Sequence, residues 1–171
     1  MSTTDSSAAT ATEAPGAGGV AMRLEALVLP VADVDRAKRF YEGLGWRLDG
    51  DFPGDDGYRL VQMTPPGTSN ASILFGSGVT STEPGTIDSI LLAVDDLDAA
   101  LDELRSRGAD VSEVFHDPGG GIGGGFRPRT EGRAPGHDPQ RRSYASYASF
   151  DDPDGNKWLL QEITDRLPGR V

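Results

Sequence analysis

The sequence predicts a single α+β domain built from two copies of one βαβββ module, and three observations carry that expectation. Leu27 to Gly45 and Ile90 to Gly108 align without a gap at an offset of 63 residues, with six identities in 19 positions. Each copy runs through the same signals in the same order: an apolar strand, an Asp, an amphipathic helix, a Gly. A chain of 171 residues is long enough for one sizeable core and short for two. Repetition of this kind marks a structural unit used twice.

The identities are Leu29/Leu92, Val31/Val94, Asp33/Asp96, Asp35/Asp98, Ala37/Ala100 and Gly45/Gly108. Asp33 and Asp96 stand where an N-cap side chain can accept from the first free amides, and Gly45 and Gly108 stand where the helix should end. Between them Val34, Ala37, Phe40, Tyr41 and Leu44 fall at helical spacing, as do Leu97, Ala100, Leu101 and Leu104. Both helices therefore read as covers for a sheet. Strands are expected at Arg47 to Asp49, Tyr58 to Thr64 and Ala71 to Phe75 in the first module, and at Val111 to His116, Tyr144 to Phe150 and Lys157 to Ile163 in the second. Turn residues separate them at Asp55-Asp56-Gly57, Pro65-Pro66-Gly67 and Asp152-Pro153-Asp154-Gly155-Asn156. The domain is thus expected over residues 22–164, with modules at about 22–80 and 85–164.

Residues 1–21 are small and polar, start without a basic cluster and contain no continuous apolar stretch, so they read as a disordered tail and not as a signal peptide. Residues 165–171 form a short C-terminal tail. From Asp117 to Ser143 eight glycines and four prolines interrupt the second module with no apolar period, so an inserted loop is expected there. Five arginines against three acidic residues give it a charge of +2 on an otherwise acidic chain.

The net charge of −11 argues against a nucleic-acid partner, which would require clustered Lys and Arg. No apolar run approaches the roughly 20 residues of a membrane span. The chain has no cysteine, which removes disulfides and thiolate chemistry and fits a reducing, cytoplasmic setting.

LPVADVDRAKRFYEGLGWRLD, the second copy of its opening half, and a closing DPDGNKWLLQE together resemble the vicinal oxygen chelate superfamily of glyoxalases, bleomycin resistance proteins and extradiol dioxygenases. The resemblance covers roughly Met22 to Thr164. It implies paired βαβββ modules whose sheets curve into a cup, commonly with a divalent metal at its floor, and a homodimer as the family's expected assembly. Metal-dependent relatives carry a His seven residues before the N-cap Asp and a Glu on the last strand of each module. Here those positions fall on Ala26, Ser89, Ser72 and Leu159. None is a usual ligand for a divalent ion, so no cofactor is expected, and a metal only through a non-standard site.

Strand parity then groups Val28 with Ala26, Leu91 with Ser89, and Gln161 with Leu159 on the concave face, and sends Trp158 to the helix side. His116, at the root of the inserted loop, is the candidate catalytic acid or base and a candidate ligand contact. The expected function is metal-free binding of a small organic molecule by Ala26, Val28, Ser72, Ser89, Leu91, His116, Leu159 and Gln161. The alternative is a glyoxalase-like lyase, isomerase or dioxygenase with a non-standard site.

Overall fold

The computed structural model describes residues 20, 22–67, 71–119, 124–126 and 132–167. The expected N-terminal tail lies outside the described residues apart from Val20. The chain forms two mixed sheets, each drawn from one module. The first module runs β1 (Ala26–Val28), α1 (Val34–Gly43), β2 (Arg47–Pro53), β3 (Arg59–Thr64) and β4 (Ser72–Ser77), with sheet order β1-β4-β3-β2. The second runs β5 (Asp88–Val94), α2 (Leu97–Ser106), β6 (Phe115–His116), β7 (Ala134–Pro135), β8 (Ser146–Asp151) and β9 (Lys157–Glu162), with order β5-β9-β8-β6-β7. In both modules the first strand pairs in parallel with the last, as a strand followed by a crossover helix must.

Both helix starts follow from the sequence. Asp33 accepts from the Arg36 amide and Asp96 from the Ala99 amide, each at 2.9 Å. The glycines after the helices take left-handed backbone, φ 84° at Gly45 and 87° at Gly108. Two features of the second module differ from expectation. The strand expected from Val111 shrinks to Phe115–His116, with Val111 making only an isolated bridge to Phe150. The insertion in turn carries a strand of its own, β7, which extends the sheet beyond β6.

The structure also fixes how the modules correspond. Val28 pairs with Leu74 and Leu91 with Leu159, so Leu74, not Ser72, is the counterpart of Leu159. β4 and β9 therefore correspond at an offset of 85, whereas β3 and β8 correspond at 87, because Gln62 and Ser149 face Leu74 and Leu159. The turn from β8 to β9 is two residues shorter than the connection from β3 to β4, which accounts for the difference.

One core serves both modules. Tyr41 of α1 packs against Phe75 of its own sheet and against Trp158 of the other, at ring separations of 6.0 Å each. Its hydroxyl accepts from Trp158 Nε1 and donates to Asp152, both at 3.0 Å. Burial, then the neighbouring Asp152 carboxylate, hold the phenol far above its usual range, so it stays a neutral donor. Tyr41→Phe removes one oxygen, leaves Trp158 Nε1 without its acceptor and takes one donor from Asp152, which keeps Asn156. It should cost about 1–2 kcal/mol, read as a lower midpoint in urea unfolding with the slope unchanged.

Candidate functional site

The side of the first sheet away from α1 carries Ala26 and Val28 on β1, Leu60, Gln62 and Thr64 on β3, and Ser72 and Leu74 on β4. Alternation dictates this set, because Val61, Met63, Ile73 and Phe75 are buried in the core on the helix side. Ala26 sits beside Ser72 and Val28 beside Leu74, so three predicted site residues come together on this inner face. Val28, Phe52 and Leu91 are exposed, while Leu60, Gln62 and Leu74 are half-buried. The face is open and mainly apolar.

A line of polar groups crosses it. Gln62 Nε2 donates to Ser72 Oγ at 3.2 Å, Ser72 Oγ lies 2.8 Å from Thr64 Oγ1, and Thr64 Oγ1 donates to the Asp49 carboxylate. Asp49 also accepts from Arg47 Nε at 2.6 Å. Desolvation pushes the Asp49 carboxyl up, but the hydrogen bonds from Thr64 and Arg47 outweigh it and hold the group below its ordinary value. Asp49 reaches this face because β2 is bulged: Leu48 pairs with Met63 and Gly50 with Gln62, leaving Asp49 as the extra residue. Gly50 is equally constrained, since a Cβ there would come within 2.3 Å of the Phe52 ring. Lacking one, it lets that ring lie over the strand beside Gln62.

The inner face of the second sheet is covered. Leu91 pairs with Leu159 and Ala93 with Gln161, as expected for one face, but Leu159 and Gln161 are each only 1% exposed. Phe115 stacks on Tyr147 at 5.6 Å, and Gln161 Nε2 donates to both the Tyr144 carbonyl and the Tyr147 hydroxyl. Gly125 and Arg133 of the inserted loop lie over this group. A Cβ at Gly125 would fall 2.4 Å from the Tyr147 ring, so the backbone approaches where no side chain fits. Arg133 sets its guanidinium 4.2 Å from the Phe115 ring centre and donates to Gly125 O at 3.2 Å. Ser89 stands in a bulge at the start of β5 with φ 93°, apart from the regular ladder.

His116 is on the other side. Phe115 and Tyr147 take the inner face, so their neighbours His116 and Ser146 take the outer one. His116 Nδ1 donates to the Gly136 carbonyl at 2.9 Å, since a carbonyl only accepts. Its surroundings are structural: Asp138 accepts from the Arg142 amide and guanidinium, its own amide donates to Ser146, and the Arg142 hydrogen bonds hold its carboxyl well below the usual range. His116 thus roots the loop, as the sequence suggests, without joining Leu159 and Gln161.

The metal that the resemblance implies finds no suitable donors. Ala26, Ser72, Ser89 and Leu159 offer two hydroxyls and no imidazole or carboxylate, and Leu74 is no better. Asp49 is committed to Thr64 and Arg47. Among the described residues no three His, Asp or Glu side chains converge to hold an ion. The donor set does not fit the group.

Where the sheets meet, a cleft of about 120 Å³ is lined by Ser72 and Leu91 together with Leu27, Trp46 and Ile90, so it joins predicted residues of both modules. A second cleft of about 220 Å³, between Trp46 and Leu44 on one side and Leu92 and Leu104 on the other, contains none of them. Both fall below the usual range of roughly 300–1,000 Å³ for an enclosed ligand pocket. The open inner face of the first sheet, with its polar line, is the better candidate. Gln62 and Thr64 are absent from the sequence-based site, although alternation with the apolar Val61 and Met63 is a signal that could have found them, whereas the Asp49 contribution depends on the bulge and has no sequence signal.

The Glyoxalase/Bleomycin resistance protein/Dioxygenase superfamily model matches residues 23–160. No match is found among the curated proteins. Among solved structures, an antibiotic binding protein, TnmS3 from Streptomyces sp. CB03234, is 28% identical, with a TM-score of 0.60 over 85% of this chain and 99% of that one. A glyoxalase/bleomycin resistance protein from the same organism is 30% identical, with a TM-score of 0.56 over 80% and 97%. A superfamily member from Sphaerobacter thermophilus DSM 20745, 23% identical over 83% and 98% at a TM-score of 0.57, shares the fold. With paired modules, parallel first-to-last strand pairing and a matching family model over most of its length, the chain belongs to the Glyoxalase/Bleomycin resistance protein/Dioxygenase superfamily.

Proposed function

We propose that the chain binds a small organic molecule, without a resident metal, on the inner face of the first sheet and the adjoining seam. The observation that carries this reading is the composition of that face. Val28, Leu60 and Leu74 supply apolar area, Ser72 and Gln62 supply a few placed polar groups, and the positions of the family's metal ligands on this sheet hold Ala26 and Leu74. Such a surface suits a neutral or weakly polar ligand better than a hard cation. The 28% identity to an antibiotic binding protein supports the same class of function. Leu91 borders the seam, whereas Leu159 and Gln161 would meet a ligand only with the loop displaced. Acid or base work by His116 would need a substrate on the outer side of β6.

The test combines composition and binding. Protein purified without chelator should carry well under one equivalent of zinc, iron, nickel or manganese. Titration with 2-naphthol should saturably shift the amide resonances of Val28, Leu60 and Leu74 and leave those of β6 in place. A stoichiometric transition metal that survives dialysis, or shifts centred on His116, would overturn the reading.

A further inference from the structure

We propose that Gln62 is the specificity-determining residue of this face, its amide aimed by a one-way hydrogen-bond chain so that its carbonyl oxygen selects ligands bearing a hydroxyl or N–H. The inference rests on the small-molecule reading above and adds the ligand's chemistry.

The direction follows from counting protons. An ionised carboxylate only accepts, so the single Thr64 hydroxyl hydrogen goes to Asp49. Thr64 then has none left for Ser72, so the Ser72 hydrogen is drawn toward Thr64 at 2.8 Å and the Asp49 carboxylate beside it. With its own hydrogen spent, Ser72 can only accept from Gln62, which fixes the amide with Nε2 toward Ser72 and Oε1 turned away. The reverse orientation would place Oε1 against an oxygen with no hydrogen to give. The charge on Asp49 thus sets, three bonds away, which end of an uncharged amide a ligand meets. Hydrogen bonds in such a run polarise one another in the same sense.

The surroundings leave that end available. Gln62 is half-buried in mid-sheet, between Gly50 on β2 and Leu74 on β4. Among the described residues no hydrogen bond to Oε1 is formed. The exposed Phe52 ring lies over Gly50 on one side, and Leu60 and Leu74 flank the other. An aromatic ligand resting on these groups brings its edge to the amide. A hydroxyl or N–H on that edge completes the acceptor, while a methyl ether leaves a desolvated oxygen without a partner, which is the larger penalty. Ser149, at the matching position of the second sheet, has neither the reach nor a carboxylate-anchored chain.

Thr64 and Ser72 are positioning residues in this arrangement, and the selectivity ratio tests them where affinity alone would not. The probes are 2-naphthol and 2-methoxynaphthalene, which share a ring and differ in the donor. Wild-type protein should prefer 2-naphthol by about tenfold. In Gln62→Leu the preference should vanish, with 2-methoxynaphthalene bound at least as tightly as before. Thr64→Val cuts the chain but keeps the amide, so the preference should fall to roughly twofold or threefold. Melting temperatures establish that each variant is folded; Asp49→Ala, which removes the acceptor that orders the chain, replaces Thr64→Val if that variant is not, and Gln62→Met likewise replaces Gln62→Leu. Equal binding of both probes by wild type, or a tenfold preference that survives Gln62→Leu, overturns the proposal and leaves the binding function standing. Failure of wild type to bind either probe overturns both.

Discussion

Trp158→Ala is expected to lower the unfolding free energy by about 3–5 kcal/mol, the range for deleting a large buried aromatic. The indole is 1% exposed and lies between the modules. It meets the Trp46 ring edge-on at 5.1 Å, stacks on Phe150 at 6.1 Å with planes 9° apart, and donates to the Tyr41 hydroxyl. Truncation therefore opens a cavity and leaves a buried phenol without its donor. Neither sheet can close over the gap without disturbing Tyr41 and Trp46, which pack on the indole from the first module. Trp158→Phe should retain much of the packing and cost roughly half as much. Urea unfolding followed by circular dichroism reads both. A loss under about 1.5 kcal/mol for Trp158→Ala would mean that the modules do not depend on one core.

The helix-side role of Trp158 is legible in the sequence because period two along LysTrpLeuLeuGlnGlu leaves only two assignments for each side chain, and the core face is the one that accepts an indole. The same alternation locates Ala26, Val28 and Ser72 on one face and Leu91, Leu159 and Gln161 on another. What alternation cannot supply is register. Leu74 and not Ser72 answers to Leu159, since the β8–β9 turn is shorter by two residues, and a shift of two preserves parity while moving the position along the strand. Asp49 escapes for a related reason, because the bulge at Leu48/Gly50 is set by pairing with β3 and not by local residue preference.

The insertion shows a different limit. Its composition correctly marks it as an interruption of the repeat, and its place beside the second sheet follows from its roots at β6 and β8. That Gly125 would lie against Tyr147 and Arg133 against Phe115 depends on contacts between segments far apart in sequence, which glycine content alone does not specify. Proximity to this loop is what singles out His116 in the sequence, and its side chain shares the outer face with Ser146 because Phe115 takes the inner one. A two-residue strand offers no periodicity from which to choose between them.

Asn156→Ala should cost about 2–4 kcal/mol, although in sequence Asn156 is only the last residue of a good turn. Its side chain is completely buried. Nδ2 donates to the Pro30 carbonyl of the first module at 2.9 Å and to Asp152 at 2.8 Å, while Oδ1 accepts from the Ile87 amide at 3.3 Å. One amide thereby joins the end of β1, the approach to β5 and the β8–β9 turn. Alanine leaves groups at all three places short of a partner. Asn156→Asp separates donation from shape: it keeps an acceptor for Ile87 but turns a carboxylate toward the Pro30 carbonyl and Asp152. That repulsion and burial raise the folded-state pKa of the new carboxyl above its unfolded value of about 3.9. Its destabilisation is therefore greatest at neutral pH and shrinks as the pH falls through the raised value. Urea midpoints for both variants against wild type at pH 7 and pH 5 give the comparison. A neutral Asn156→Asp, or a deficit that does not shrink on acidification, would show that the amide hydrogens are not what ties the modules together.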